Sequence, residues 1–298
     1  LCGRATVGGE GITFVREKKT AKCGKQNCHY YVENYLNYSI FSLNMARNLL
    51  LISNSKVAGG KSLAHASEEI KDILGDREVV RFVPYANPSG MGHKAYVAAL
   101  QPIFQEMGYD LQLLDGNDPT QSVKDAEAIF IGGGNTWQLL KDLKDKRLAF
   151  AIRDAVNNGT IYMGSSAGSN VAGLTIGNTN DMPAAECYGR DALGLVPFNV
   201  NPHYQDTVKL SAEEREAVLK VAPQLKILID HQGETRDVRL TEYHALGNIE
   251  TVVALREGAM LRVTDDHVHL KGTTGAKVFK PGEEPVEHQA GATLDFLL

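Results

Sequence analysis

Residues 161–173 read IYMGSSAGSNVAG. A short apolar run, Ile161 to Met163, gives way to the small residues 164–168 and then to a stretch with the look of a helix start. This is how a buried strand looks when it runs through a tight corner into a helix. Gly164-Ser165-Ser166-Ala167-Gly168 also fits the pattern G-x-S-x-G. Glycines on both sides let the chain turn sharply while the Ser166 hydroxyl stays exposed at the strand end. The helix that follows offers free N–H groups to an oxyanion. A corner used only for packing has the same small residues, so the surroundings must decide.

Working outward, short apolar runs alternate with helical patterns. NLLLISN (48–54) precedes a helix expected near 62–74, REVVRFVPY one near 92–107, and YDLQLL a short one near 119–125. AEAIFIGGG leads into a longer helix ending at the stop signal Asn157-Asn158-Gly159, and TIYMGSS then opens the helix at Ser166. Strands rich in Val, Ile and Leu between helices imply an α/β fold, a doubly wound and mainly parallel sheet covered on both faces. Ligands of such sheets bind beyond the carboxyl ends of the strands, where the Gly- and Ser-rich turns fall.

The last third, ETVVALREGAMLRVTDDHVHLKGTTGAKVFKPG, reads as short strands separated by turn signals, an antiparallel meander added to the parallel core. Residues 1–44 differ from the rest. They are basic and show no sustained period, and are expected to be a poorly ordered leader or upstream segment. Residues 45–298 are expected to form one domain.

The 298 residues are 43% hydrophobic and 22% charged, the composition of a globular protein. A net charge of −5 gives no nucleic-acid surface, and no apolar run reaches the roughly 18 residues of a membrane span. Four cysteines do not make a disulfide framework, so a reducing, cytoplasmic setting is expected. Cys23, Cys28 and His29 have the spacing of half a zinc site, with no second ligand pair following.

FIGGGNTWQ (130–138) ends the strand before the serine turn with three glycines. Backbone N–H groups at Gly133 and Ala167 are therefore candidate donors to one oxyanion. Of nine histidines, His203 in FNVNPHYQD stands at a strand end, and Asp181 lies on a polar loop 15 residues after Ser166. They are the candidate base and its orienting carboxylate. Against this reading stands a nucleotide-binding one, in which Gly59-Gly60-Lys61-Ser62 forms a P-loop, though Ser55 occupies the place of the first glycine.

FIGGGNT, GSSAGSNVA, TNDMP, NPHY and GETR, in this order, resemble the peptidase E family of α-aspartyl dipeptidases. The resemblance runs from about Asn48 to Leu298. It implies a fold like that of class I glutamine amidotransferases and a serine mechanism without metal or organic cofactor. Ser166 would be the nucleophile and His203 the base, with Asp181 preferred over Glu257 of LREG as the third member. Arg236 of GETR would grip the side chain of an N-terminal aspartate, and the substrate would be an Asp-Xaa dipeptide, cleaved by a monomer or homodimer. In that family GETR follows the histidine closely, whereas residues 206–230 here add a helix and a strand, an insertion or a copy of the local helix–strand unit. Ser211 and Glu214 make a capping box for the added helix. A cyanophycinase-like hydrolase or an esterase shares the serine turn and is the alternative within hydrolases.

Overall fold

The computed structural model describes residues 47–87, 92–114, 116–206, 210–223 and 234–298, together with two short strands nearer the N-terminus. Contacts divide the chain into two units, Leu1–Met45 and Ala46–Leu298. In the first, the strands Val7–Gly8 and Gly11–Ile12 pair antiparallel. The rest of the expected leader, with Cys23, Cys28 and His29, lies outside the described residues.

In the second unit, β1 (Asn48–Ile52), β2 (Val79–Val83), β3 (Asp110–Leu113), β4 (Ala128–Ile131) and β5 (Ile161–Ser165) are the expected apolar strands. Leu49 and Leu51 enter one core with Ile129, Ile131 and Tyr162; Leu50 and Ile52 enter another with Phe130, Ile161 and Met163. Successive side chains point to opposite faces, so a strand apolar at every position must be covered on both. Helices α1 (Ser67–Leu74) and α2 (His93–Met107) cover the second face. The first is covered by α3 (Pro119–Lys124), α4 (Thr136–Asp145) and α5 (Leu148–Asn157). Each Leu or Ile so buried contributes about 1.5–3 kcal/mol.

The longer helix expected before Gly159 is two helices. Arg147 adopts a left-handed conformation, φ 58°, between α4 and α5. An unbroken helix would carry the Leu139, Leu140 and Leu143 stripe onto Arg147 rather than Leu148. The break resets the phase, so both stripes enter the same core.

After β5 comes the short helix α6 (Ala167–Asn170), then β6 (Asn199–Tyr204), α7 (Ala212–Val221) and α8 (Arg236–Ala245). The Ser211–Glu214 capping box is formed at α7. The strand expected within 206–230 falls at residues outside the described ones. The chain ends in β7 (Val252–Arg256), β8 (Ala259–Thr264), β9 (His267–Gly272), β10 (Ala276–Phe279) and β11 (Val286–His288).

The central sheet has the order β9-β8-β1-β5-β4-β2-β3, parallel from β1 to β3, with β8 and β9 antiparallel at one edge. A second sheet has the order β11-β10-β7-β6. The C-terminal strands pair antiparallel, except that β7 is parallel to β6, and they do not form the single meander expected. The chain leaves the second sheet after β7, adds β8 and β9 to the central sheet, and returns with β10. Val253 and Leu255 of β7 face the core shared with the central sheet, while Val252 and Ala254 pack beside Leu240 and Tyr243 of α8. Two buried faces force the second sheet to stand apart.

Arg256, at the end of β7, fastens this sheet. It donates two hydrogen bonds to Asp206, at 2.6 and 2.7 Å, and two more to Glu287. The Arg256 hydrogen bonds hold the Asp206 carboxyl below its ordinary value of 3.8. A lowered carboxyl stabilises the fold above its unfolded pKa and loses that contribution as pH falls through the lowered value. Thermal melts should therefore show stability dropping below about pH 4, and Asp206→Asn should flatten that acid slope.

The serine corner depends on close packing. A Cβ on Gly168 would lie 2.2 Å from the Ile131 carbonyl oxygen, which is fixed backbone. Gly168→Ala should cost about 3 kcal/mol in urea unfolding, and an unchanged midpoint would contradict the packing described.

Candidate active site

Strand β5 stops at Ser165, and Ser166 turns with φ 55° and ψ −113°. No side chain favours that backbone, so its neighbours must hold it. The Ser166 N–H donates to the Ile52 carbonyl at 3.0 Å, and the Ser166 carbonyl accepts from the N–H groups of Ser169 and Asn170. The Ser169 hydroxyl lies 2.7 Å from the Ile52 oxygen and 2.8 Å from that of Gly164, and the buried Tyr162 hydroxyl donates to the Gly168 carbonyl at 2.6 Å. With the Ser166 N–H and carbonyl both bonded, the Ser166 side chain is left facing outward at the strand ends.

There it meets His203. The distance from His203 Nε2 to Ser166 Oγ is 2.9 Å, and from His203 Nδ1 to Glu257 Oε1 2.8 Å. A carboxylate is acceptor only, so the Nδ1 proton faces Glu257 and the Nε2 lone pair faces the serine. His203 also has a left-handed φ of 55°, and the pairing of β6 with β7 slips between Asn201 and Tyr204. Glu257 sits in the turn from β7 to β8, followed by Gly258 at φ 88°.

The carboxylate beside the imidazole in the structure is therefore Glu257, the alternative acid, and the preferred Asp181 makes its hydrogen bonds elsewhere. Asp181 lies on a loop packed against the start of α4, where a helix leaves N–H groups unpaired. Its Oδ2 accepts from the Thr136 N–H at 2.7 Å and the Thr136 hydroxyl at 2.6 Å, and Trp137 Nε1 donates to its carbonyl. Spacing along the chain favoured Asp181. Glu257, 54 residues after His203, comes to it only because β6 and β7 are adjacent and parallel.

Gly133 lies directly beside the serine, since a Cβ there would be 3.0 Å from Ser166 Cβ. The Tyr96 hydroxyl donates to the Gly133 carbonyl at 3.1 Å. The N–H groups of Gly133 and Ala167 donate to no acceptor among the described residues. Ser166, His203 and Glu257 open into a cavity of about 310 Å³ that Thr136, Asp181 and Arg236 also line. That is the small end of the roughly 300–1,000 Å³ usual for ligand pockets. Burial, and then the neighbouring Arg239, lower the pKa of Arg236, while Asp181 opposes the shift. A cation and an anion thus face one small space beside the serine.

Residues 49–271 match the family described as Peptidase family S51. The chain belongs to that family. It is 38% identical over 256 residues to a protein named Peptidase E from Nostoc sp., a match spanning 85% of this chain and 98% of the relative. It is 40% identical over 257 residues to a probable alpha-aspartyl dipeptidase from Drosophila melanogaster, with the same coverage. Among solved structures, a peptidase from an acI-B1 Actinobacterium superimposes with a TM-score of 0.55 at 17% identity, covering 84% of this chain and 97% of that one, a likeness of fold. Membership in family S51 makes this chain a serine peptidase, and Ser166, with its imidazole and carboxylate, is where the structure brings such groups together.

The P-loop reading fails on geometry. The Gly60 and Leu63 N–H groups donate to the Val57 and Ser55 carbonyls, and the Ser62 hydroxyl to the Ser55 carbonyl, so the loop bonds to itself rather than cradling a phosphate. Thr136, Ser53 and Asn54 escaped sequence reasoning. Only for Thr136 was there a signal, its place at the first position of the helix after the glycine run.

Labelling by a fluorophosphonate reads this arrangement directly. Ser166→Ala should abolish it, and Glu257→Gln should slow it by roughly 10²–10⁴-fold. Asp181→Asn should leave the rate within about threefold, because the imidazole keeps its partner. A strong effect of Asp181→Asn with none from Glu257→Gln would reverse the assignment.

Proposed function

We propose that this protein hydrolyses dipeptides bearing an N-terminal aspartate, through an acyl-enzyme on Ser166. The observation that carries the reading is the unbroken line Ser166–His203–Glu257 opening into a small cavity that also holds Arg236 and Asp181. The Arg236 fork pairs the two oxygens of the aspartyl side chain, which a lysine does not match. Asp181 takes the free α-ammonium group, so a peptide must begin at this residue to satisfy both charges. The small cavity disfavours long peptides.

In the first step His203 Nε2 accepts the Ser166 proton as Oγ attacks the aspartyl carbonyl. Glu257 keeps the imidazole in the required tautomer and stabilises the imidazolium as it forms. The N–H groups of Gly133 and Ala167 stabilise the oxyanion, each worth about 3 kcal/mol of barrier. His203 then returns the proton to the leaving amine. The second residue leaves with that proton, and water, deprotonated by the same imidazole, then attacks the aspartyl ester, releasing aspartate as the proton returns to Ser166 Oγ. Protein groups supply every proton transfer and every stabilising charge, so no cofactor is invoked. A reducing, cytoplasmic setting fits the low cysteine content. No helix among the described residues is long and apolar enough to cross a membrane.

Hydrolysis of Asp-Leu, Glu-Leu, Asn-Leu and N-acetyl-Asp-Leu, with EDTA present, tests this reading. Asp-Leu alone should be cleaved, and Ser166→Ala should abolish the activity. Arg236→Met should raise KM for Asp-Leu by roughly 10–100-fold and erase the preference over Asn-Leu. Cleavage of N-acetyl-Asp-Leu at the same rate would remove the role given to Asp181. Cleavage of a branched aspartyl polymer instead would favour the cyanophycinase-like alternative.

A further inference from the structure

Three consecutive residues at the end of β1 bond to Ser166, to His203 and to the neighbour of Glu257. The Ile52 carbonyl accepts from the Ser166 N–H at 3.0 Å. The Ser53 hydroxyl accepts from the His203 N–H at 2.9 Å and donates to the Leu255 carbonyl at 2.9 Å. Asn54 Oδ1 accepts from the Gly258 N–H at 2.8 Å, next to Glu257, while its Nδ2 donates to the Lys56 carbonyl at 2.7 Å. Ser53 is 0% exposed and Asn54 1%, and neither lines the cavity.

The backbone explains why side chains are needed here. Pro202 has no N–H, and His203 at φ 55° turns its own N–H out of the ladder between β6 and β7. That buried donor needs an acceptor, and the Ser53 hydroxyl supplies it while tying the same point to β7. The Glu257–Gly258 turn crosses from the second sheet to the central one, so no regular ladder fixes it either. Asn54 pins that crossing, and the Thr274 hydroxyl donates to the Glu257 carbonyl at 2.8 Å from the other side. A displacement of a few tenths of an ångström at either point would misalign a chain of two hydrogen bonds.

We propose that Ser53 and Asn54 are positioning residues of the reaction, Ser53 setting the imidazole of His203 and Asn54 the carboxylate of Glu257. They touch neither substrate nor reacting atoms, and their role is distinct from binding. The proposal rests on Ser166 being the nucleophile but not on the identity of the substrate.

The test is a cycle of variants read in two ways, by kcat and KM on Asp-Leu and by the rate of fluorophosphonate labelling. Asn54→Ala and Ser53→Ala should each lower kcat about tenfold with KM within about twofold, and slow labelling by the same factor. In a Glu257→Gln background Asn54→Ala should cost less than about twofold, because the group it positions is already removed. Ile73→Ala, buried in α1 and lining no part of the cavity, supplies a control that lowers the melting temperature without lowering kcat. If Ser53→Ala does not fold, the Asn54 cycle alone decides. Equal losses from Asn54→Ala in both backgrounds, a change confined to KM, or unchanged kcat would overturn the proposal. Labelling of the wild type without Asp-Leu cleavage would sink the substrate reading, and the labelling rates would still decide the positioning role. A wild type that is not labelled and cleaves nothing would sink both.

Discussion

The site depends on holding two ordinary residues, Ser166 and His203, in left-handed backbone at φ 55° within hydrogen-bonding distance of each other. Such a conformation costs on the order of 1–3 kcal/mol per residue and persists only when its surroundings leave no alternative. At Ser166 the surroundings are the Ile52 carbonyl, the first turn of α6 and the glycines at 164 and 168, which let strand and helix come closer than any Cβ would allow. At His203 they are a proline without a donor, a slipped strand pair and the Ser53 hydroxyl. Relaxing either residue would swing its side chain away from the other.

The division of strands between two sheets has its reason in the same place. The candidate nucleophile comes from the carboxyl end of β5 in the central sheet, and the candidate base from β6 in the second. The carboxylate sits on the turn where the chain crosses from one sheet to the other. A single meander would have placed Glu257 in a hairpin within one sheet. The crossing instead puts it beside β6 and against the end of β1. Ligand sites of open α/β sheets lie beyond the carboxyl strand ends, and here the second sheet closes that crevice from the side.

Charge is distributed by the same elements. Asp181 is held by the first residue of α4, and Arg236 is the first residue of α8, so two helix starts bring opposite charges to one cavity. The start of α8 is itself tethered. The Tyr204 hydroxyl donates to Asp237 at 2.6 Å and Lys277 reaches the same oxygen at 3.0 Å. Because Tyr204 follows His203 in the chain, the imidazole and the start of the helix that carries Arg236 rest on adjoining residues of β6.

The sequence by itself determined the parallel core and the strand-to-helix corner and singled out Ser166 and His203 as candidates, because these are local. Apolar runs buried on two faces, a G-x-S-x-G turn, a histidine after proline at a strand end and a capping box at Ser211 can all be read within a few residues. The ordered set of short motifs extended this to the family. What only the tertiary structure decided lies farther apart along the chain. That Glu257 rather than Asp181 stands beside the imidazole required the pairing of β6 with β7. The phase reset at Arg147 required both helix stripes to meet one core. The use of Ser53 and Asn54 required a strand from the start of the domain to run beside turns some 150 and 200 residues later. Contacts of that kind follow from which strands become neighbours, and no local pattern of side chains encodes it.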